Sequence, residues 1–167
     1  VVVPMRIIGN KIISLLSVDS TNDYARALLS KETPEEGTII ISGEQKKGRG
    51  YGGNAWHSKR GKNLLFSIIL YPEFISANTQ FLISKVISLG ICDYLSCYVS
   101  DVSIKWPNDI YIDDRKIAGV LIENDLMGSS MKSSVVGIGI NINQEKFPED
   151  IPNPVSISQM IEKKLVL

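Results

Sequence analysis

Short apolar runs separated by glycine, proline and polar breaks recur along the chain, with one long stretch of helical spacing near its middle. Gly9 and Asn10 interrupt the first run, which begins at Arg6, and its second half, up to Leu16, reads as a strand. Asp19-Ser20-Thr21-Asn22-Asp23 then offers several helix N-caps, and Tyr24, Ala25, Ala27, Leu28 and Leu29 follow at helical spacing before Pro34. Residues 38–42 and 63–70 are rich in β-branched and large apolar side chains and predict buried strands. Residues 77–98 predict the longest helix, with Phe81, Leu82, Lys85, Val86, Leu89, Cys92 and Leu95 as its core stripe and Gly90 weakening its middle. A short strand is predicted at 102–105, a hairpin from 110–112 and 116–123, and a further strand at 134–143 after a turn at 127–130. Residues 145–154 carry three prolines and read as irregular. A last helix starts near Ser156 or Ser158, and the sequence stops inside it.

Strands joined by turns pair antiparallel, so this order predicts an α+β domain: a mixed, largely antiparallel sheet with helices on one face. It lacks the regular alternation of a doubly wound nucleotide fold, and no phosphate loop ending in Gly-Lys-Ser/Thr occurs.

Composition narrows the class. With 167 residues and 44% hydrophobic content, the chain fits one well-packed domain, taken as 1–167. Eighteen cations balance eighteen acids, whereas a nucleic-acid-binding domain carries a basic excess. The local clusters Lys46, Lys47, Arg49 and Lys59, Arg60, Lys62 suit a small anionic ligand. Cys92 and Cys97 lie within the long helical pattern and read as reduced core thiols. His57 is the only histidine, which leaves little for a zinc site or a Ser-His-Asp triad, and it reads as a plain loop residue. The N-terminal residues lack the pattern of a signal peptide, and no apolar run approaches the roughly 18 residues of a membrane span. The expectation is a soluble cytoplasmic protein.

Two stretches carry chemistry. Residues 44–56 (Glu-Gln-Lys-Lys-Gly-Arg-Gly-Tyr-Gly-Gly-Asn-Ala-Trp) form a glycine-rich loop between two strands. Its glycines let backbone N–H groups approach an anion, Arg49 adds a bidentate donor, and Trp56 offers a flat face for a ring. Taken alone, the loop equally suits a mobile surface hairpin with solvated cations. The second stretch is Lys105-Trp106-Pro107-Asn108-Asp109 followed by Arg115-Lys116-Ile117-Ala118-Gly119. Asn108 and Asp109 suit a plain turn, and Asp109 also suits Mg²⁺ beside a phosphate. Lys116 would return on the hairpin to point a cation at the same place, and Gly119 would leave room for a ligand.

With Asp19-Ser20-Thr21-Asn22 and Gly137-Ile138-Gly139-Ile140-Asn141, these stretches resemble, in order, the motifs of the biotin protein ligase (biotin–[acetyl-CoA-carboxylase] ligase) catalytic domain, a class II synthetase-like fold. The resemblance covers roughly residues 10–160. It implies activation of biotin by ATP as biotinyl-5′-AMP, then transfer to a lysine of a biotin carboxyl carrier protein, with Mg²⁺. It further implies that Ser20, Thr21, Asn22 and Gln45 bind the ureido ring and its neighbours. Arg49, Gly50 and Tyr51 would close over the carboxylate, and Gly119 would touch the biotin chain. Gly48, Arg49, Trp56, Asn108, Lys116 and Asn141 would serve ATP, with Lys116, Arg49 and Asp109 as the catalytic group and Asp109 nearest the metal.

Where many members of the family write Gly-Arg-Gly-Arg-x-Gly-Arg-x-Trp, Tyr51 and Asn54 stand at the later arginine positions. The family's small C-terminal β-barrel and the N-terminal DNA-binding domain of its bifunctional members have no counterpart in the sequence, so no nucleic-acid partner is expected. Pairing of two copies through a sheet edge stays open. A lipoate or octanoyl transferase of the same fold, and a non-catalytic biotin-binding module, are the alternatives.

Overall fold

A computed structural model describes residues 8–167. Arg6 and Ile7, where the first apolar run starts, lie outside the described residues, as does the N-terminal stretch read above for a signal peptide.

The alternating and continuous apolar runs form one seven-stranded sheet. Its strands are β1 (Ile12–Leu15), β2 (Ile39–Ser42), β3 (Leu64–Leu70), β4 (Val102–Lys105), β5 (Asp109–Ile112), β6 (Arg115–Met127) and β7 (Ser130–Ile140). They lie in the order β1-β2-β3-β7-β6-β5-β4. Only β1 and β2 are parallel, so the sheet is mixed and largely antiparallel, as its pattern predicts. β6 and β7 are longer than expected because their hairpin continues to the Gly128–Ser129 turn.

The described residues also form three α-helices: α1 (Thr21–Leu29), α2 (Phe81–Ser96) and α3 (Ile157–Ile161). Residues alternate across each strand. Ile68, Val136, Ile138 and Val120 therefore point to one face, where they pack with Ile83, Ile91 and Leu95 of α2 and Ile157 of α3. Ile40, Ile69 and Val135 point to the other, against Ala25 of α1. The expectation of helices on one face holds for α2 and α3, while α1 covers part of the opposite face.

Three local expectations need correction. In α2 the buried positions are Ile83, Ser84, Ser88, Ile91 and Leu95, while Phe81, Leu82, Val86 and Leu89 of the predicted stripe are exposed. Ser84 can turn inward because its hydroxyl donates to the Pro107 carbonyl at 3.0 Å. Cys97 is exposed, and both cysteines are free. The last helix ends before the chain does: Glu162 takes a left-handed conformation after Ile161.

Candidate functional site

The face shared with α1 carries the site, and the strand register lays out its floor. Asp109, Gly119, Gly139 and Leu65 form one lateral row across β5, β6, β7 and β3. Leu121, Gly137 and Ser67 form the next row, and Glu123, Val135 and Ile69 the one after. The glycines are there for space. A Cβ on Gly119 or Gly139 would run into the Trp56 indole, and one on Gly137 into the Asn22 amide.

Trp56 is delivered to that floor by the glycine-rich loop, which folds into a small flap. Gly50 N–H donates to Asn54 O at 2.7 Å, Trp56 N–H donates to Gly48 O at 2.9 Å, and a single 3₁₀ turn at Tyr51–Gly53 closes the tip. The flap's base is tied to the segment that leads into α1: Lys46 and Lys47 N–H groups donate to Val18 and Asp19 carbonyls at 2.9 and 2.8 Å. Ser20 caps α1 by accepting from Asp23 N–H. Gln45 Oε1 accepts from Thr21 N–H at 2.7 Å and lies 3.0 Å from its hydroxyl. Sequence elements twenty-four residues apart thus form one wall.

Lys116 comes from the opposite wall. Its backbone is clamped by Asn153 and Val155, and its ammonium lies 2.8 Å from Asp109 Oδ1 and 5.7 Å from the centre of a Trp56 ring. Asn108 stiffens the turn beneath by donating to Val120 O at 3.1 Å. Arg49 lies 2.7 Å from both Glu123 Oε2 and Asp23 Oδ1. Burial pushes the Glu123 carboxyl up, but hydrogen bonds from Arg49 and Asn22 and the charge of Arg49 outweigh it and hold the group below its ordinary value. Burial likewise opposes the Arg49 charge, yet Glu123 and Asp23 raise its pKa overall. Each cation of the site therefore has a protein counterion.

Two cavities meet here. A narrow one of about 120 Å³ is lined by Ser20, Thr21, Asn22, Gln45, Arg49, Gly50, Tyr51, Trp56, Asn108, Asp109, Lys116 and Gly119, among others. A wider one of about 550 Å³ shares Asn54, Ala55, Trp56, Asp109 and Lys116 with it and extends past Tyr111, Asn141 and Phe147. Two buried polar atoms in its walls, Trp56 Nε1 and Asn141 Oδ1, have no hydrogen-bond partner among the described residues. Gly48 lines neither cavity and is packed against the Trp56 carbonyl. His57 stands at the rim of the wider one.

Ser67 and Glu123 are not among the site residues expected from the sequence, nor are Gly137 and Gly139 expected there to shape the floor. The glycines left a signal, since two of them at alternate positions of a strand leave one face bare. Glu123 left a weaker one, a lone acid at the end of an apolar strand. Ser67, fully buried in the middle of β3, left none.

A model of the Biotin/lipoate A/B protein ligase family matches residues 15–141. The chain belongs to that family. It is 31% identical over 163 residues to the Bifunctional ligase/repressor BirA of Bacillus spizizenii, covering 95% of this chain and 50% of that one. The Biotin--[acetyl-CoA-carboxylase] ligase of Paracoccus denitrificans is 32% identical over 131 residues, 77% of this chain and 53% of its own. Among solved structures, the biotin protein ligase of Aquifex aeolicus in complex with biotin and ATP superposes with a TM-score of 0.74 at 32% identity, covering 94% of this chain and 63% of that one. The chain spans about half the length of these curated relatives. No helix among the described residues is long and apolar enough to cross a membrane.

Proposed function

We propose that this ligase-family domain activates biotin with ATP and passes it to a lysine of a biotin carboxyl carrier protein, such as that of acetyl-CoA carboxylase. The observation that carries the reading is the junction of the narrow polar cavity and the wider one at Trp56, Asp109 and Lys116. A small ring acid would fill the first and a nucleotide the second, so that carboxylate and α-phosphate meet at Lys116. The carboxylate oxygen attacks the α-phosphorus and pyrophosphate leaves. The carrier's lysine amine then attacks the acyl carbon of the mixed anhydride and AMP leaves.

The chain's part is positioning and charge stabilisation. Ser20, Thr21, Asn22 and Gln45 hold the ring, and Gly119 leaves room for its chain. Arg49, Gly50 and Tyr51 close the flap over the carboxylate, while Trp56 and Asn141 hold the nucleotide, and the free Asn141 Oδ1 suits an amino group of a base. Lys116 exchanges its Asp109 contact for the oxygens of the reacting groups. Asp109 alone does not make a metal cage: among the described residues no three potential ligands cluster, and its carboxylate is engaged by Lys116. Mg²⁺ would arrive on the nucleotide phosphates, as this ion commonly does.

The reaction needs no nucleic acid, and this reading places the protein in the cytoplasm, with the sheet edges β1 and β4 as the places where a second copy would pair. A lipoate or octanoyl transferase shares the fold. Thermal shift with biotin against lipoate separates the two, and pyrophosphate release that requires both biotin and ATP separates an enzyme from a binding module. Release with lipoate and none with biotin would overturn the proposal.

A further inference from the structure

Behind the narrow cavity runs a chain of polar contacts, exposed at the flap arginine and buried at Ser67, that links the flap to the ring wall. The Glu123 carboxylate accepts from Arg49 Nη2 at 2.7 Å, Arg26 Nη1 at 3.0 Å and Asn22 Nδ2 at 2.8 Å. An ionised carboxylate only accepts, so the nitrogen of the Asn22 amide must face it. The same nitrogen donates to Leu121 O at 3.2 Å. Asn22 Oδ1 is thereby turned to Ser67, whose Oγ lies 2.6 Å away. Oδ1 has no hydrogen, so the single Ser67 hydroxyl hydrogen is committed to it. Ser67 Oγ also lies 2.7 Å from Thr21 Oγ1 and can only accept there. The Thr21 hydroxyl hydrogen thus serves Ser67 or Gln45 Oε1. Since Gln45 Oε1 faces Thr21, its Nε2 is left as a donor with no acceptor among the described residues.

We propose that Glu123 and Ser67 are positioning residues, which hold the Asn22 amide and, through Ser67, the Thr21 side of the wall, so that Gln45 keeps its Oε1 on Thr21 and offers its Nε2 N–H to a carbonyl-type oxygen. This rests on the biotin reading, in which that oxygen belongs to the cyclic urea. Glu123 does not touch the ligand. It acts through Asn22 and Arg49, and Ser67 transmits the orientation from a site with no solvent exposure.

The test is a double-mutant cycle on the full chain, with Glu123→Gln, Ser67→Ala and the pair, read by calorimetric biotin binding and by the KM for biotin and for ATP. Each single change weakens biotin binding roughly tenfold, the size of one hydrogen bond to an oriented partner. The KM for ATP stays within about twofold, and the pair loses little more than the worse single change, because both act along one chain. Ile83→Val, on the opposite face, controls for lost stability and leaves biotin binding unchanged. Should Glu123→Gln not fold, Ser67→Ala, which removes one atom, carries the test alone. Unchanged biotin binding in Ser67→Ala, or losses that are additive and equal for biotin and ATP, overturn the proposal. A wild type that binds biotin without turning it over refutes the reaction proposed above and leaves this test intact; one that does not bind biotin overturns both.

Discussion

The Lys116 ammonium and the Asp109 carboxylate meet at 2.8 Å where the two cavities join. Asp109 comes from β5 and Lys116 from β6, so their hairpin brings acid and base together without help from distant sequence. In the proposed reaction this contact holds Lys116 in place until an anion replaces Asp109.

Asp109→Asn tests that relationship. Losing the carboxylate leaves Lys116 less well placed but more free to meet phosphate, so kcat should fall by about tenfold or more while the KM for ATP does not rise. The Mg²⁺ concentration giving half-maximal rate should be unchanged. A marked rise in that concentration would assign Asp109 to the metal instead.

Gly139→Ala tests the floor. A methyl there overlaps the Trp56 indole, and the backbone conformation is ordinary, so crowding is the whole effect. Overpacking of this kind costs about 1–3 kcal/mol. In a Trp106→Phe background Trp56 is the sole tryptophan. The substitution should lower Tm and remove the change in Trp56 fluorescence on adding ATP. Unaltered fluorescence titrations would mean that Trp56 does not border the nucleotide.

The Glu123 network sets an acid dependence. Its folded pKa lies below its ordinary 4.5, so its stabilising contribution is complete above 4.5 and is lost as pH falls through the lower folded value. Urea unfolding at a series of pH values should show stability declining below 4.5, with a shallower decline in Glu123→Gln. Equal slopes for the two proteins would contradict this.

Tyr51→Arg addresses the flap's missing cations. Tyr51 is exposed at the flap tip and borders the narrow cavity, so an arginine there adds a charge beside the bound adenylate. Release of biotinyl-AMP should slow by roughly threefold or more, the effect of one partly screened ion pair. Comparable release rates for the two proteins would show that the charge at this position does not set retention.

Much of this architecture was legible in the sequence because it is local. The flap glycines, the Ser20 cap and the Lys116 hairpin each follow from a few neighbouring residues, and the structure brings them to one cleft. The face of α2 was not legible. Ile83, Ile87 and Ile91 form a second apolar row beside Leu82, Val86 and Leu89, so periodicity alone could not choose between the two. The choice is made by the sheet beneath and by the hydrogen bond from Ser84 to Pro107. Ser67 was hidden for a related reason. A serine in an apolar strand reads as a defect until Thr21 and Asn22, some forty-five residues away, are folded against it.

The central claim is that Lys116 neutralises the charge gathering between carboxylate and α-phosphate. It is tested most directly by incubating wild type and Lys116→Ala with ATP, Mg²⁺, biotin and a biotin carrier domain, and measuring biotin transferred to the carrier's lysine. The wild type should transfer, and Lys116→Ala should be slower by about 100-fold or more, as for loss of a main electrostatic stabiliser. Undiminished transfer by Lys116→Ala would contradict the account.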